Sequence, residues 1–384
     1  MSTVKNGPSA AEGSRMPDHD STRPTLADVA AKAGVSASTA SLAFSGSGPV
    51  AEATRERVLA AARELHYAGP DPRARSLRRG RSGIIGVVLE ERVREAFRDP
   101  IQIAQFDGIA EEIGHIDAAL LILAAAGPAQ QFAGVKAMPA QPMHPVTVED
   151  APIDAAVLMG CSPRLAASIS ALRDRGLPVV AIEGFPAEGI LLIEQDNRDA
   201  TERGARHLEH LGHERVAIIT LPLDAAHHRG RVTEELLAIS SSATPLQRLE
   251  GARAVFPDAV AYAAAGSQVD EGRRAARELL SVPAEERPTA IIAQSDLLAV
   301  GVIRAAEELG ISVPDQLSVI GFDGVRVDGL WPYELTTLEQ PAYEKGRAAG
   351  RAIVRMLEGS EAEPVAFTSV LRVGNTTAPP PSAP

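Results

Sequence analysis

Two groups of residues have the types and spacing to do chemistry, and in both cases it is the chemistry of recognition. Arg73, Arg75, Arg78, Arg79 and Arg81 crowd one short stretch. Guanidinium groups at that density bind phosphate oxygens and displace condensed counterions. Ahead of them, Ser36, Ser38, Thr39 and Ser41 set hydroxyls along a helical segment, where they suit phosphate oxygens and some base edges. Covalent chemistry has no comparable support. The sequence holds no Gly-x-Ser-x-Gly elbow, no Walker loop and no Gly-x-Gly-x-x-Gly after its first strand, so no enzyme is expected and no cofactor is implied. His227 and His228 are adjacent, but nothing else at ligand spacing supports a metal, and a solvated pair is expected. Cys161 is the single cysteine. It excludes an internal disulfide framework, suits a reducing compartment, and reads as a small hydrophobe between a strand and a helix.

Charge shows where these groups belong. The 384-residue chain carries a formal −12, which by itself argues against a nucleic-acid protein. Residues 1–82 hold 12 Lys/Arg against 8 Asp/Glu, net +4, while the rest holds 26 against 42, net −16. A small basic head on a large acidic body points to nucleic acid at the N-terminal end. The longest apolar run, Ala118 to Ala126, is too short to span a bilayer. No signal peptide is visible in the first twenty residues, so a cytoplasmic protein, at the nucleoid and away from membranes, is expected.

The elements that position the groups follow from periodicity. Residues 1–23 read as a disordered tail. Thr25 and Asp28 have capping-box spacing at the start of a first helix whose apolar face is Leu26, Val29, Ala30 and Ala33, and Gly34 breaks it. Ser36 caps a second helix to about Phe44. A loop from Ser45 to Pro49 leads to a third helix, about Glu52 to His66, with Val58, Leu59, Ala62 and Leu65 inward and no capping side chain at Ala51. Two helices across a tight Gly-containing turn, with a third in support, make a helix-turn-helix over residues 24–68. Pro70 and Pro72 open a linker, residues 69–81. From Ser82 the texture is β-α alternation. Apolar strands are expected at Ile84–Leu89, Ala119–Ala125, Ala155–Met159, Val179–Ile182, Ile190–Ile193, Val216–Leu221, Val260–Ala264, Ala290–Ala293 and Ser318–Phe322. Helices are expected at Asn197–Leu211, Glu271–Leu280, Leu297–Leu309 and Tyr343–Leu357. Such runs argue parallel sheets covered by helices, in two doubly wound lobes over residues 82–378, with a short tail at 379–384. Residues 127–150 and Asp224–Pro245 read as irregular loops.

The run Thr25-Leu26-Ala27-Asp28-Val29-Ala30-Ala31-Lys32-Ala33-Gly34-Val35-Ser36-Ala37-Ser38-Thr39-Ala40-Ser41 closely resembles the opening of LacI-family repressors. The likeness continues through Thr54-Arg55-Glu56-Arg57-Val58-Leu59 and the hinge-like Ala74-Arg75-Ser76-Leu77-Arg78. In the body it touches Asp196-Asn197, Leu211-Gly212-His213, Arg248-Leu249-Glu250-Gly251, Ser295-Asp296, Val319 to Asp323 and Leu335 to Thr337, in the family's order. It covers about residues 24–378. The resemblance implies an α/β body of periplasmic-binding-protein type behind the three-helix head, and a homodimer on a pseudo-palindromic operator.

By the same resemblance, Ala37, Ser38 and Leu42 stand where base specificity resides. Small residues there imply modest direct readout, through thymine methyls and one hydroxyl, and Leu42 either reaches a base or packs inside the head. The DNA-facing set is Thr25, Ser36, Ala37, Ser38, Thr39, Ser41, Leu42 and Ser45 in the head, with Arg75, Leu77, Arg78 and Arg79 in the hinge. Leu77 is the implied minor-groove wedge, and the hinge is expected to order only with DNA and a partner hinge; a solvated charged linker is the alternative. Asp199, Arg248 and Asp296 stand where the family lines its cleft, Asp296 also as the cap of the helix from Leu297, and Gln340 either reaches the cleft or fills an ordinary strand-end role. An arginine with acidic partners clamps hydroxyls of a carbohydrate or nucleoside. The segment Asp99-Pro100-Ile101 lacks the aromatic residues of the family's binding loop. The expected function is a repressor whose operator affinity follows a small-molecule effector. A solute-binding protein of the same two-lobed fold is the alternative, and it would need a signal peptide and no basic head.

Overall fold

The computed structural model describes residues 24–45, 48–69, 80–90, 93–125, 146–160 and 162–381. Its contacts divide the chain between Arg81 and Ser82 into two compact units. In the first, Thr25 opens α1 (Leu26–Ala33) with a reciprocal cap: Asp28 N donates to Thr25 Oγ1, and Thr25 N donates to the Asp28 carboxylate at 2.8 Å. Such caps contribute about 1 kcal/mol. Gly34 ends α1 at φ 66, a left-handed turn that a side chain would strain. Ser36 then caps α2 (Ala37–Ser45), accepting from Thr39 N at 3.1 Å. The third helix, α3 (Glu52–Glu64), starts at Ala51 without a side-chain cap. Val29, Ala30, Ala40, Ala43, Val58, Ala61 and Ala62 close the core, with Phe44 edge-on to Tyr67 beside it. Leu59 was expected inward and is only half-buried. Val58, Ala61, Ala62 and Leu65 fall at i, i+3, i+4 and i+7, so Ala61 takes the inward place and Leu59 sits one step off the stripe.

The second unit is two doubly wound lobes. The first lobe contains β1 (Ile84–Leu89), α4 (Val93–Ala96), α5 (Pro100–Gly114), β2 (Ala119–Ala124), β3 (Ala155–Met159), α6 (Ala166–Asp174), β4 (Val179–Ile182) and β5 (Leu191–Gln195). The chain then crosses to α7 (Asn197–His210), β6 (Val216–Thr220), β7 (Gly230–Arg231), α8 (Glu234–Ala238), α9 (Ala243–Arg253), β8 (Val260–Ala263), α10 (Val269–Leu280), β9 (Ala290–Ala293), α11 (Asp296–Glu308), β10 (Ser318–Asp323) and β11 (Thr336–Glu339). It returns for α12 (Ala342–Leu357) and β12 (Val365–Phe367), and crosses once more to β13 (Val370–Arg372). One sheet runs β12-β5-β4-β3-β1-β2, all parallel. The other runs β13-β11-β10-β9-β6-β8-β7, parallel except at its two edges. The strands read as unbroken apolar runs because helices cover both faces.

The segment Asp224–Pro245, expected to be irregular, contains β7, α8 and the first turn of α9. Pro245 lies in that first turn, where a missing N–H costs nothing, so it belongs to a helix start and not to a loop. Asp196 fastens two of the crossings. Its carboxylate accepts from Ser369 N at 2.8 Å and from Arg203 Nη2 at 2.6 Å, and Arg203 also holds the Ser369 carbonyl. His213, buried, bonds Thr289 Oγ1 and the Ala378 carbonyl, each at 2.9 Å, and so ties the end of the chain to the second lobe.

Candidate functional site

In the head, the outward side of α2 carries Ser36, Ala37, Ser38 and Leu42 exposed and Thr39 and Ser41 half-buried, while Ala40 and Ala43 face the core. Ser36 Oγ lies 2.8 Å from both Ser38 Oγ and Thr39 Oγ1, a chain of hydroxyls along the helix start. Leu42 is 38% exposed and does not join the head's core, so of its two expected places it has the outward one. Thr25 sits at the start of α1 with its hydroxyl on Asp28, and those bonds hold the Asp28 carboxyl below its ordinary value. Ser45 ends α2. A helix with small outward side chains lets the backbone come close to a groove, with hydroxyls left to bond its edges. Arg75, Leu77, Arg78 and Arg79 lie outside the described residues.

In the body, two adjoining cavities of about 200 Å³ each open between the lobes at the carboxyl ends of both sheets, the place where doubly wound sheets hold ligands. The inner one is walled by Glu183 after β4, Ser295 after β9, Asp323 at the end of β10 and Gln340 after β11, with Asp99 from the start of α5 and Arg248 from the middle of α9. Arg248 lies within α9, 3% exposed, its guanidinium stacked 3.5 Å over Phe322. Its Nε donates to Asn197 Oδ1 at 2.8 Å and its Nη1 to the Gln294 carbonyl at 2.6 Å, with Asp323 Oδ1 3.8 Å away. Glu183 and Asp323 have φ of 62 and 124. Non-glycine residues in that region carry strain that packing must impose, and such strain clusters at ligand sites.

The electrostatics follow from burial and pairing. Burial alone would raise Glu183, but Lys345 and Arg248 overcome it and hold the carboxyl at about 2. Burial drives Asp323 well above its ordinary value, with Asp296 and Asp99 adding to the rise and Arg248 opposing it. Asp99 is raised by burial too, against the backbone bond from Ile101. Asp296 is pushed up to about 7 by burial, against its bonds from Thr337 and Val325. The wall therefore combines a fixed carboxylate, a fixed guanidinium and an acid, Asp323, held toward its neutral form. That set can both donate to and accept from neutral hydroxyls.

Of the three effector residues expected from the sequence, the structure brings Arg248 to the cavity. Asp296 is fully buried behind it, accepting from Thr337 Oγ1 at 2.6 Å and Val325 N at 2.8 Å. Nor does Asp296 cap its helix: Ser295 does, accepting from Leu298 N at 3.2 Å. Asp199 points to solvent, 69% exposed beside Arg198, away from both cavities. Asp99 is the N-cap of α5 and also reaches the wall. Asp323, Glu183, Asn197 and Lys345 were missed, and Gln340 was given a lesser role. The usable signal was position, since Glu183 and Asp323 stand at strand carboxyl ends; nothing marked Lys345. His228 pairs with Asp224 at 2.8 Å and His227 with the Ala265 carbonyl at 2.8 Å. No group of three or more metal-ligating side chains occurs among the described residues, and none of their helices is long and apolar enough to cross a membrane.

Comparison with known proteins agrees with both units. Residues 25–69 match the family model for bacterial regulatory proteins, lacI family, and residues 205–377 that for the periplasmic binding protein-like domain. The HTH-type transcriptional regulator IpsA of Corynebacterium glutamicum is 33% identical over 374 residues, covering 92% of this chain and 98% of that one. The HTH-type transcriptional repressor CytR of Escherichia coli is 29% identical, covering 88% and 91%. A solved LacI-family regulator from Corynebacterium glutamicum superposes with a TM-score of 0.63 at 28% identity, covering 92% and 98%. With a helix-turn-helix head and a two-lobed, effector-binding body, this chain belongs to the lacI family of bacterial regulatory proteins and is a transcriptional regulator.

Proposed function

We propose that the chain is a repressor that holds a pseudo-palindromic operator as a homodimer and is switched by a small polyhydroxylated effector, a sugar or the ribose of a nucleoside, in the inter-lobe cavity. One observation carries the effector class. The guanidinium of Arg248 is fixed through Nε and Nη1, and Asp323 is fixed through Oδ1 by Gln340 at 2.6 Å. Arg248 Nη2 and Asp323 Oδ2 make no hydrogen bond with another described residue. A donor and a carboxyl oxygen left over in a closed network, above the aliphatic surface of Ile101, Met159, Ile182 and Leu221, suit a ring with neighbouring hydroxyls. Repression accords with the name of CytR. A homodimer accords with the few base contacts that one head of small side chains can make. The solute-binding alternative is set aside by the head.

The test is a panel of sugars and nucleosides, read by thermal shift of the full chain and by its affinity for operator fragments selected from genomic DNA. A ligand that raises the melting temperature and changes operator affinity is expected, with a two-fold footprint on the DNA. Saturating ligand with unchanged operator affinity would refute the switch. Falling transcription on deletion of the regulator would refute repression.

A further inference from the structure

Beneath the cavity, six side chains close a circuit. Lys345 Nζ donates to Glu183 Oε1, and Asn197 Nδ2 donates to Glu183 Oε2 at 2.8 Å. Arg248 Nε donates to Asn197, and Arg248 faces Asp323. Gln340 Nε2 donates to Asp323 at 2.6 Å, and Gln340 Oε1 accepts from Lys345, which completes the loop. Lys345 is fully buried, although lysine is among the residues least often found inside. It comes from α12, which packs on the first lobe. The next residue, Gly346, lies against the Gln105 backbone of α5, where a Cβ would collide. The helix is thus pinned against α5.

Glu183 and Gln340 line the cavity, yet every side-chain oxygen and nitrogen they present already holds a partner. Both Glu183 oxygens are taken, one by Lys345 and the other by Asn197 and by Thr244 at 3.1 Å. Gln340 spends its amide on Lys345 and Asp323. Without the lysine, Glu183 Oε1 and Gln340 Oε1 would be two acceptors facing each other from the two lobes, a ready subsite for an amine. We propose that Lys345 is a built-in ligand: its ammonium occupies that amine subsite, bridges the lobes, and confines the effector to hydroxyl groups that meet Arg248 and Asp323. The proposal rests on the cavity being the effector site. Its consequence is specificity, because the wild-type chain excludes amino compounds from a position where its own lysine already sits.

The experiment uses the full chain and n-propylammonium chloride, which replaces the part of the side chain lost in Lys345→Ala. The variant should melt several degrees lower than wild type, because Glu183 loses its buried counter-ion. It should regain about 2–4 °C, saturably, with propylammonium over sodium chloride of equal ionic strength. Wild type, the double variant Lys345→Ala/Glu183→Gln, and tetramethylammonium, which has no N–H, should show no such gain. Operator affinity of Lys345→Ala should shift about threefold or more with propylammonium. A folded Lys345→Ala that gains nothing overturns the proposal. A melting gain with unchanged operator affinity keeps the built-in ligand and instead overturns the effector reading of the cavity. Should Lys345→Ala fail to fold, Lys345→Met/Glu183→Gln decides: recovery close to wild-type melting supports the coupled pair, and a variant equally unfolded overturns it.

Discussion

Asp296→Asn separates a structural acid from a ligand-binding one. Asp296 is wholly buried and its carboxyl ionises at about 7, against an ordinary 3.8. A raised acid binds more protons folded than unfolded between those values, so it makes stability fall as pH rises from about 4 to 7. The loss from this one group is about 4 kcal/mol, to order of magnitude. Glu183 has the opposite sign: held at about 2, it contributes stability above 4.5 that is lost as pH falls toward 2. The two windows barely overlap, and Asp323 and Asp99, also raised by burial, act in the same direction as Asp296, so the three acids share the neutral limb. Asparagine reproduces the protonated form, since its Oδ1 can accept from Val325 N and its Nδ2 can donate to Thr337 Oγ1. Urea unfolding at pH 5, 6, 7 and 8 is the assay. Wild type should weaken across the series, while Asp296→Asn should weaken less steeply, the remaining slope coming from Asp323 and Asp99, and be the more stable by about 1–3 kcal/mol at pH 8. Effector affinity should be unchanged. An unaltered pH slope refutes the buried-acid reasoning, and a lost effector response would place Asp296 in the ligand site after all.

Arg248→Ala should cost about 3–5 kcal/mol of body stability, because it orphans Asn197 and the Gln294 carbonyl. It should also abolish the effector response while leaving operator binding near wild type under stabilising conditions; a normal response in titrations would make Arg248 purely structural. Leu77→Ala should weaken operator binding and reduce DNA bending with effector binding intact, which circular-permutation gel shifts can contradict by showing an unaltered bend. Removing Arg78 and Arg79 together should flatten the log–log salt dependence of operator binding by about 1 to 2; an unchanged slope puts those side chains in solvent.

What was legible in the sequence was local. The capping box of Thr25 and Asp28, the Gly34 stop and the apolar strands each depend on neighbouring residues alone, and the structure has them within a residue or two. The cavity was legible where a motif or its family position pointed, at Arg248 and at the segment Asp99-Pro100-Ile101. Glu183, Asn197, Asp323, Gln340 and Lys345 meet only because three crossings bring the carboxyl ends of two sheets together, and no window of sequence contains that meeting. Asp296 was misplaced for a related reason. Its neighbour Ser295 has the better capping geometry, which leaves the aspartate free to turn inward to Thr337, a residue 41 positions away. Asp199 had the right type at a helix start, but the turn of α7 carries it to solvent. Short elements such as the two-residue β7 are too brief for any period to register.

The lobes are held by two polar clusters of different kinds. The Asp196 set ties Arg203, Gln195 and Ser369 at the crossings themselves, so its distances survive rotation about them. The bonds of Glu183 to Asn197 and Thr244, and of Lys345 to Gln340, reach from first-lobe groups to the second lobe and must lengthen if the cavity opens. Hydrogen bonds to charged groups contribute about 1.5–3 kcal/mol each, so opening is disfavoured by several kcal/mol before any effector arrives. Effector coupling is usually 1–3 kcal/mol. The body should therefore stay closed without ligand, and an effector should act by small adjustment inside the closed state. Pulsed electron-spin distances between labels at exposed Ser170 and Glu235, one on each lobe, in a Cys161→Ser background, test this. A single narrow distribution, the same with and without effector, is expected, and it should broaden to longer distances in Lys345→Ala. A long or bimodal distribution in the ligand-free wild-type background would show that these bridges do not decide the state of the lobes.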